Sequence, residues 1–93
     1  MATTDLLGRL DAPDGRPTTE IDVRQSPPPE PLSRTLGRLA DLDDEATATE
    51  ATPVLLQRND RVPQHLFPKL DDRGYEYDHA AVDDHVVTAI WRP

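Results

Sequence analysis

The chain predicts an α/β fold of the two-layer α+β sandwich kind, a mixed four-stranded sheet with two helices on one face. Three observations predict it. Apolar residues alternate singly over Thr19–Arg24, Tyr75–His79 and His85–Trp91, which is the period of half-buried strands. Leu32, Leu36, Leu39 and Ala40 recur at helical spacing on one face, while Arg34, Arg38 and Asp41 fall elsewhere. Between the two helical segments lies a continuous apolar run, Val54-Leu55-Leu56, of the kind buried on both faces. The element order is therefore β-α-β-α-β-β.

Residues 1–18 hold Asp-Ala-Pro-Asp-Gly-Arg-Pro and little bulky apolar matter, so they predict a flexible tail. Leu6, Leu7 and Leu10 fit one helical turn, and the alternative is a short arm that docks on the domain or a neighbour. The domain proper is residues 19–93. Its first strand, with Ile21 and Val23 apolar, runs into Ser26-Pro27-Pro28-Pro29-Glu30-Pro31. Proline fixes φ and suits the first helical turn, so Pro29 or Pro31 starts the first helix. Gly37 costs roughly 1 kcal/mol inside it, which predicts close packing of helix on sheet there.

Asp41–Thr52 lacks a large apolar residue after Leu42 and reads as a solvated loop. The parallel strand Val54–Gln57 follows, with a right-handed crossover. Asn59-Asp60 is a turn signal. The segment from Val62 to Arg73 buries Leu66, Phe67 and Leu70, with an irregular start near Pro63 and a regular helix from about Phe67. Pro68 is tolerated only in a first turn or at a kink. Gly74 is placed to end the helix in the left-handed conformation. The last two strands form a hairpin with a three- to five-residue connection around Val82-Asp83-Asp84.

The totals exclude several chemistries. Ninety-three residues make one small domain with a small core. The absence of cysteine removes disulfides, thiolate metal sites and a cysteine nucleophile. No apolar run approaches the roughly 18 residues of a membrane span, and no secretory leader opens the chain, so a cytoplasmic protein that meets no membrane is expected. Eighteen acidic residues face ten basic ones, for a net charge of −8. Acid in such excess on a periodic, foldable sequence points to a high-salt cytoplasm, where acidic surfaces stay hydrated and salt screens their repulsion. The alternative reading of such charge is a disordered acidic protein. Without a basic stripe, nucleic acid is not a partner.

Asp22-Val23-Arg24, followed by Pro28-Pro29-Glu30-Pro31-Leu32, resembles the opening of the small sulfur-carrier proteins of the TusA/SirA type. In that family an Asp-Leu-Arg-like strand leads to a Cys-Pro-x-Pro motif at the start of the first helix. Asn59-Asp60-Arg61-Val62-Pro63, with Phe67-Pro68-x-Leu70 and Arg73-Gly74-Tyr75, is similar to an uncharacterised sister family of that fold, a domain of unknown function common in halophiles. The resemblance spans Thr19 to Arg92 and implies the carrier's β-α-β-α-β-β order. It also implies a departure, because Pro28 stands where the family carries its cysteine. A carrier needs a thiolate to hold a persulfide. Three of the four residues from Pro28 to Pro31 lack an N–H, and the carboxylate of Glu30 repels anions, so an oxyanion site at this helix start is disfavoured.

Other constellations are weaker. His79 and His85, with Asp83 or Asp84, offer metal-ligand types but fit no standard spacing, and surface histidines are the plainer reading. The pairs Asp43-Asp44, Asp71-Asp72 and Asp83-Asp84 read as solvated surface rather than acid–base machinery. Tyr75 and Tyr77 share a strand face, with Trp91 as a neighbour, and read as packing or as an aromatic patch. Arg24, Asp60 and Arg61 fall at the carboxyl ends of the parallel strands, where open α/β sheets place ligands, or else they pair to tie two loops together.

The expected function is a non-catalytic interaction module on a sulfur-carrier-like fold, with no enzyme activity, no cofactor and no metal. Its expected partner is a protein, met by a rigid edge built from Arg24, Pro28, Glu30, Pro31, Asp60 and Arg61, in a monomer or weak dimer. The alternative is a small-molecule or metal-binding accessory component of a redox or nitrogen-metabolism enzyme system.

Overall fold

The computed structural model describes residue 10 and residues 16–46 and 53–93. Among these, the elements come in the expected order: β1 (Thr18–Asp22), α1 (Glu30–Ala46), β2 (Val54–Asn59), α2 (Leu66–Asp72), β3 (Glu76–Val82) and β4 (His85–Trp91). The sheet is ordered β1-β2-β4-β3, with β1 parallel to β2 and the other two pairings antiparallel. The fold is the α+β arrangement that the sequence predicts.

Two apolar clusters lie on the two faces of the sheet. On the helix face, Leu39 and Leu42 of α1 and Leu66 and Leu70 of α2 pack on Leu55 and Ile90. On the other face, Val54, Leu56, Val87, Ala89 and Trp91 form a second cluster with Leu10. The strand period of two explains the split, since Leu55 and Leu56 point to opposite sides.

The tail expected over residues 1–18 falls mostly outside the described residues. Those that are described are tied to the domain. Leu10 is 6% exposed. Arg16 Nη1 donates to the Arg92 carbonyl at 2.6 Å, and Thr18 opens β1 one residue earlier than expected.

The expected loop after Asp41 is corrected. Helix α1 continues through Ala46, and residues 47–52 lie outside the described residues. The continuation follows from Leu42, which extends the buried stripe of Thr35 and Leu39 by one more turn. Thr35 is fully buried on this stripe, whereas Ala40, expected there, is exposed. Gly37 is exposed too. A Cβ built on it would meet nothing within 4 Å, so the close helix–sheet approach expected there does not occur.

Helix α2 begins at Leu66, which places Pro68 in the first turn, where its missing N–H is tolerated. Gly74 ends it with φ 78°, and its N–H reaches the Asp71 carbonyl at 3.2 Å. The hairpin is tighter than expected. Val82 pairs with His85, leaving a two-residue turn of Asp83 and Asp84. Asp83 adopts φ 54°, a left-handed conformation that aspartate tolerates.

Candidate functional site

The two loops that leave the carboxyl ends of β1 and β2 face each other. After β1 the chain turns through Ser26 N–H to the Val23 carbonyl at 3.1 Å. Glu30 N–H then reaches the Pro27 carbonyl at 2.9 Å as α1 begins. Pro31 sits in the first turn of α1, where its fixed φ helps and its absent donor is not missed. After β2, Asn59 Oδ1 accepts from Asp60 N–H at 2.8 Å, and Leu66 N–H reaches the Pro63 carbonyl at 3.0 Å to launch α2.

Between these loops lies an open cavity of about 860 Å³. Arg24, Pro28, Pro31, Asp60 and Arg61 all line it, so five of the six expected partner-binding residues converge on one place. Glu30 does not join them; it heads α1 outside the lining. The cavity occupies the position at which open α/β sheets put ligands, and its volume falls in the range of ligand and anchor-residue pockets.

Its rim is locally neutralised. Arg24 clamps Asp22 through Nε and Nη2, at 2.9 and 2.7 Å. That clamp, with the Arg24 backbone N–H, lowers the Asp22 carboxyl to about 2. Arg61 holds its neighbour Asp60 in the same way, at 2.9 and 3.1 Å, and the hydrogen bond keeps Asp60 below its ordinary range. Each arginine therefore pairs within its own loop, and neither pair ties one loop to the other.

The floor carries a residue that the sequence reading passed over. Gln57, on β2, lines the cavity and is fully buried. Its Nε2 donates to Thr35 Oγ1 at 2.8 Å, and the Thr35 hydroxyl donates to the Pro31 carbonyl at 2.7 Å. This chain ties the sheet to the proline turn. The signal was available: Gln57 is the one polar residue attached to an apolar run that reads as a buried strand.

Residues 20–92 match the family model described as uncharacterized conserved protein, DUF2249. The chain belongs to the DUF2249 family. The match takes in every described element from within β1 onwards and the whole cavity. No curated protein and no solved structure matches the chain.

Elsewhere in this DUF2249 chain the other sequence candidates separate. His79 stacks on Phe67 on the helix face, with ring centroids 5.3 Å apart. His85 follows the parity of Val87 and Ala89 and sits on the opposite face, beside Arg58 at 2.9 Å. The two histidines therefore cannot share a ligand across the hairpin. Among the described residues no three His, Asp or Glu side chains converge as a metal site would require, and no helix is long and apolar enough to cross a membrane. Tyr77 stacks flat on Phe67, with centroids 4.7 Å apart, but Trp91 belongs to the other face and is not its neighbour. Asp43 and Asp71 are not simply solvated, since each accepts a tyrosine hydroxyl, from Tyr75 at 2.5 Å and from Tyr77 at 3.2 Å.

Proposed function

We propose that this DUF2249 protein is a non-catalytic interaction module, built on a fold resembling the TusA/SirA-type sulfur carriers and adapted to high salt. The observation that carries the reading is the convergence of Arg24, Pro28, Pro31, Asp60 and Arg61 on one open cavity between the two helix starts. The chain has no cysteine, and Pro28 stands at the position of the carrier family's thiol, so persulfide transfer has no nucleophile to use. What remains is a stiff edge. Proline backbone loses little conformational freedom on binding, which favours its use as a docking surface. A protein partner fits an open concavity with apolar walls and a polar, charge-paired rim, the usual anatomy of an interface.

The competing account is that the prolines only fix the turn from strand to helix. Replacing Pro28 and Arg61 by alanine separates the two. Docking predicts that a stoichiometric partner retained by the natural chain in a high-salt extract is lost by the variant, with its melting temperature nearly unchanged. A fall in melting temperature with full retention by the folded fraction leaves the stretch purely structural. Adaptation to salt is tested separately by circular dichroism. Melting should rise with salt as the net charge of −8 is screened, and a flat series defeats that part.

A further inference from the structure

We propose that the residue a partner seats in this cavity is a tryptophan, whose indole N–H donates to Gln57 Oε1. The proposal rests on the docking reading above and deepens it.

A single proton fixes the orientation of the Gln57 amide. The Thr35 hydroxyl gives its proton to the Pro31 carbonyl at 2.7 Å, so its oxygen can only accept from Gln57. That fixes the orientation of the Gln57 amide, with Nε2 toward Thr35 and Oε1 turned away from it. Oε1 is buried and has no hydrogen-bond partner. Thr88, the cross-strand partner of Gln57, also has a buried Oγ1 without a partner, and the two do not bond to each other. An unpaired buried polar group is destabilising, and native chains rarely keep one without a use for it.

The surroundings of the cavity select the donor that would satisfy Oε1. Pro27, Pro29, Pro63, Leu32 and Leu66 give apolar walls. Arg24 and Arg61 are each cancelled by an adjacent carboxylate, so the rim favours neither an anion nor a cation. The occupant is therefore flat, uncharged and apolar, with one hydrogen-bond donor. Indole is the side chain that donates without accepting, whereas the tyrosine hydroxyl and the imidazole ring would bring in an acceptor of their own. Proline faces are a usual platform for aromatic rings, and tryptophan is enriched among the residues that dominate binding energy. Gln57 is closed to solvent in the free chain, so the ring reaches Oε1 by pressing into the floor, a side-chain adjustment common at interfaces.

Amide NMR titration with indole and with N-methylindole tests this, on the natural chain and on Gln57→Leu and Thr88→Val. On the natural chain indole should shift the Gln57 side-chain amide and the backbone amides of Leu32 and Leu66. N-methylindole should bind about tenfold more weakly, the loss of one hydrogen bond to a buried acceptor. Gln57→Leu removes the orphan oxygen together with the Nε2 bond to Thr35, while Thr35 stays bonded to Pro31, so the folded variant should treat the two probes alike. Thr88→Val should keep both the melting temperature and the preference for indole. Equal binding of the two probes by the natural chain overturns the indole bond and leaves the docking reading standing. A cavity that responds to neither probe overturns the tryptophan proposal alone, since the docking reading is decided by retention of the partner. A Thr88→Val chain that melts lower and loses the preference shows that the Thr88 hydroxyl serves Oε1, and it overturns the proposal alone.

Discussion

Arg92 Nη2 meets Asp43 Oδ2 at 2.8 Å and so joins the end of the chain to the last turns of α1, 49 positions away. The guanidinium also lies 4.0 Å over the Tyr75 ring and donates to the Arg73 carbonyl. Tyr75 closes the set by donating its hydroxyl to the same carboxylate oxygen at 2.5 Å. One aspartate thus holds α1, the entry to β3 and the exit of β4 together. Asp43→Ala removes the acceptor of both donors. The ion pair is partly exposed, so solvent screening reduces its worth, and the expected loss is about 1 kcal/mol. For a chain of this size that is roughly 4–8 °C of melting temperature. Thermal unfolding by circular dichroism reads it, and a variant that melts with the natural chain shows the cluster to be ornamental to stability.

The same cluster sets a pH dependence at each end. Burial, and then the Asp43 carboxylate, push the Tyr75 hydroxyl up to about 12 from an ordinary 10.0. Its folded pKa is raised, so its contribution to stability is complete below the unfolded value and is lost as pH climbs from 10.0 to about 12. Burial by itself would raise the Asp43 carboxyl, but hydrogen bonds from Arg92 and Tyr75 outweigh it and hold the group below 3.8. That contribution is present above 3.8 and is lost as the pH falls further. Denaturant midpoints across alkaline pH should fall for the natural chain and fall less for Tyr75→Phe. Parallel curves for the two proteins would remove Tyr75 as the titrating group.

Gly37→Ala should stabilise the chain. The position is exposed within α1, and an added Cβ meets nothing within 4 Å. The gain expected from helix propensity and from a less free unfolded chain is about 1 kcal/mol, again several degrees of melting temperature. A variant that melts lower would show a contact at Gly37 that its surroundings do not display.

The fold was legible because its signals are local. Single alternation marked β1, β3 and β4, the run Val54-Leu55-Leu56 marked β2, and the proline stretch marked the start of α1. The end of α1 was not legible. Asp43 reads as a solvated acid in a run of acids, and only the return of the chain at Tyr75 and Arg92 gives it partners. The opposite placement of His79 and His85 turns on the length of the hairpin connection. A connection of two residues rather than three changes the side of the sheet on which a strand's side chains stand. At the candidate site, the loop residues could be named from strand ends and proline chemistry, because both sit at sequence breaks. Gln57 was marked only by its polarity at the end of an apolar run, and its role was not legible, since Thr35 reaches it across the layers of the fold and Thr88 from the neighbouring strand.

Leu10 decides between the two readings of the N-terminal segment. A mobile tail over residues 1–18 leaves Leu10 in water, where Leu10→Ala costs nothing measurable. In the structure Leu10 is 6% exposed and belongs to the cluster of Val54, Leu56, Val87, Ala89 and Trp91 on the face of the sheet away from the helices. Truncating a buried leucine costs about 2–5 kcal/mol in a core that does not collapse around the gap. Trp91, the only tryptophan, reports on the same cluster through its fluorescence. Leu10→Ala should lower the melting temperature and shift Trp91 emission to longer wavelength as water reaches the ring. If both stay where they are in the natural chain, Leu10 makes no lasting contact with the sheet and the tail reading holds.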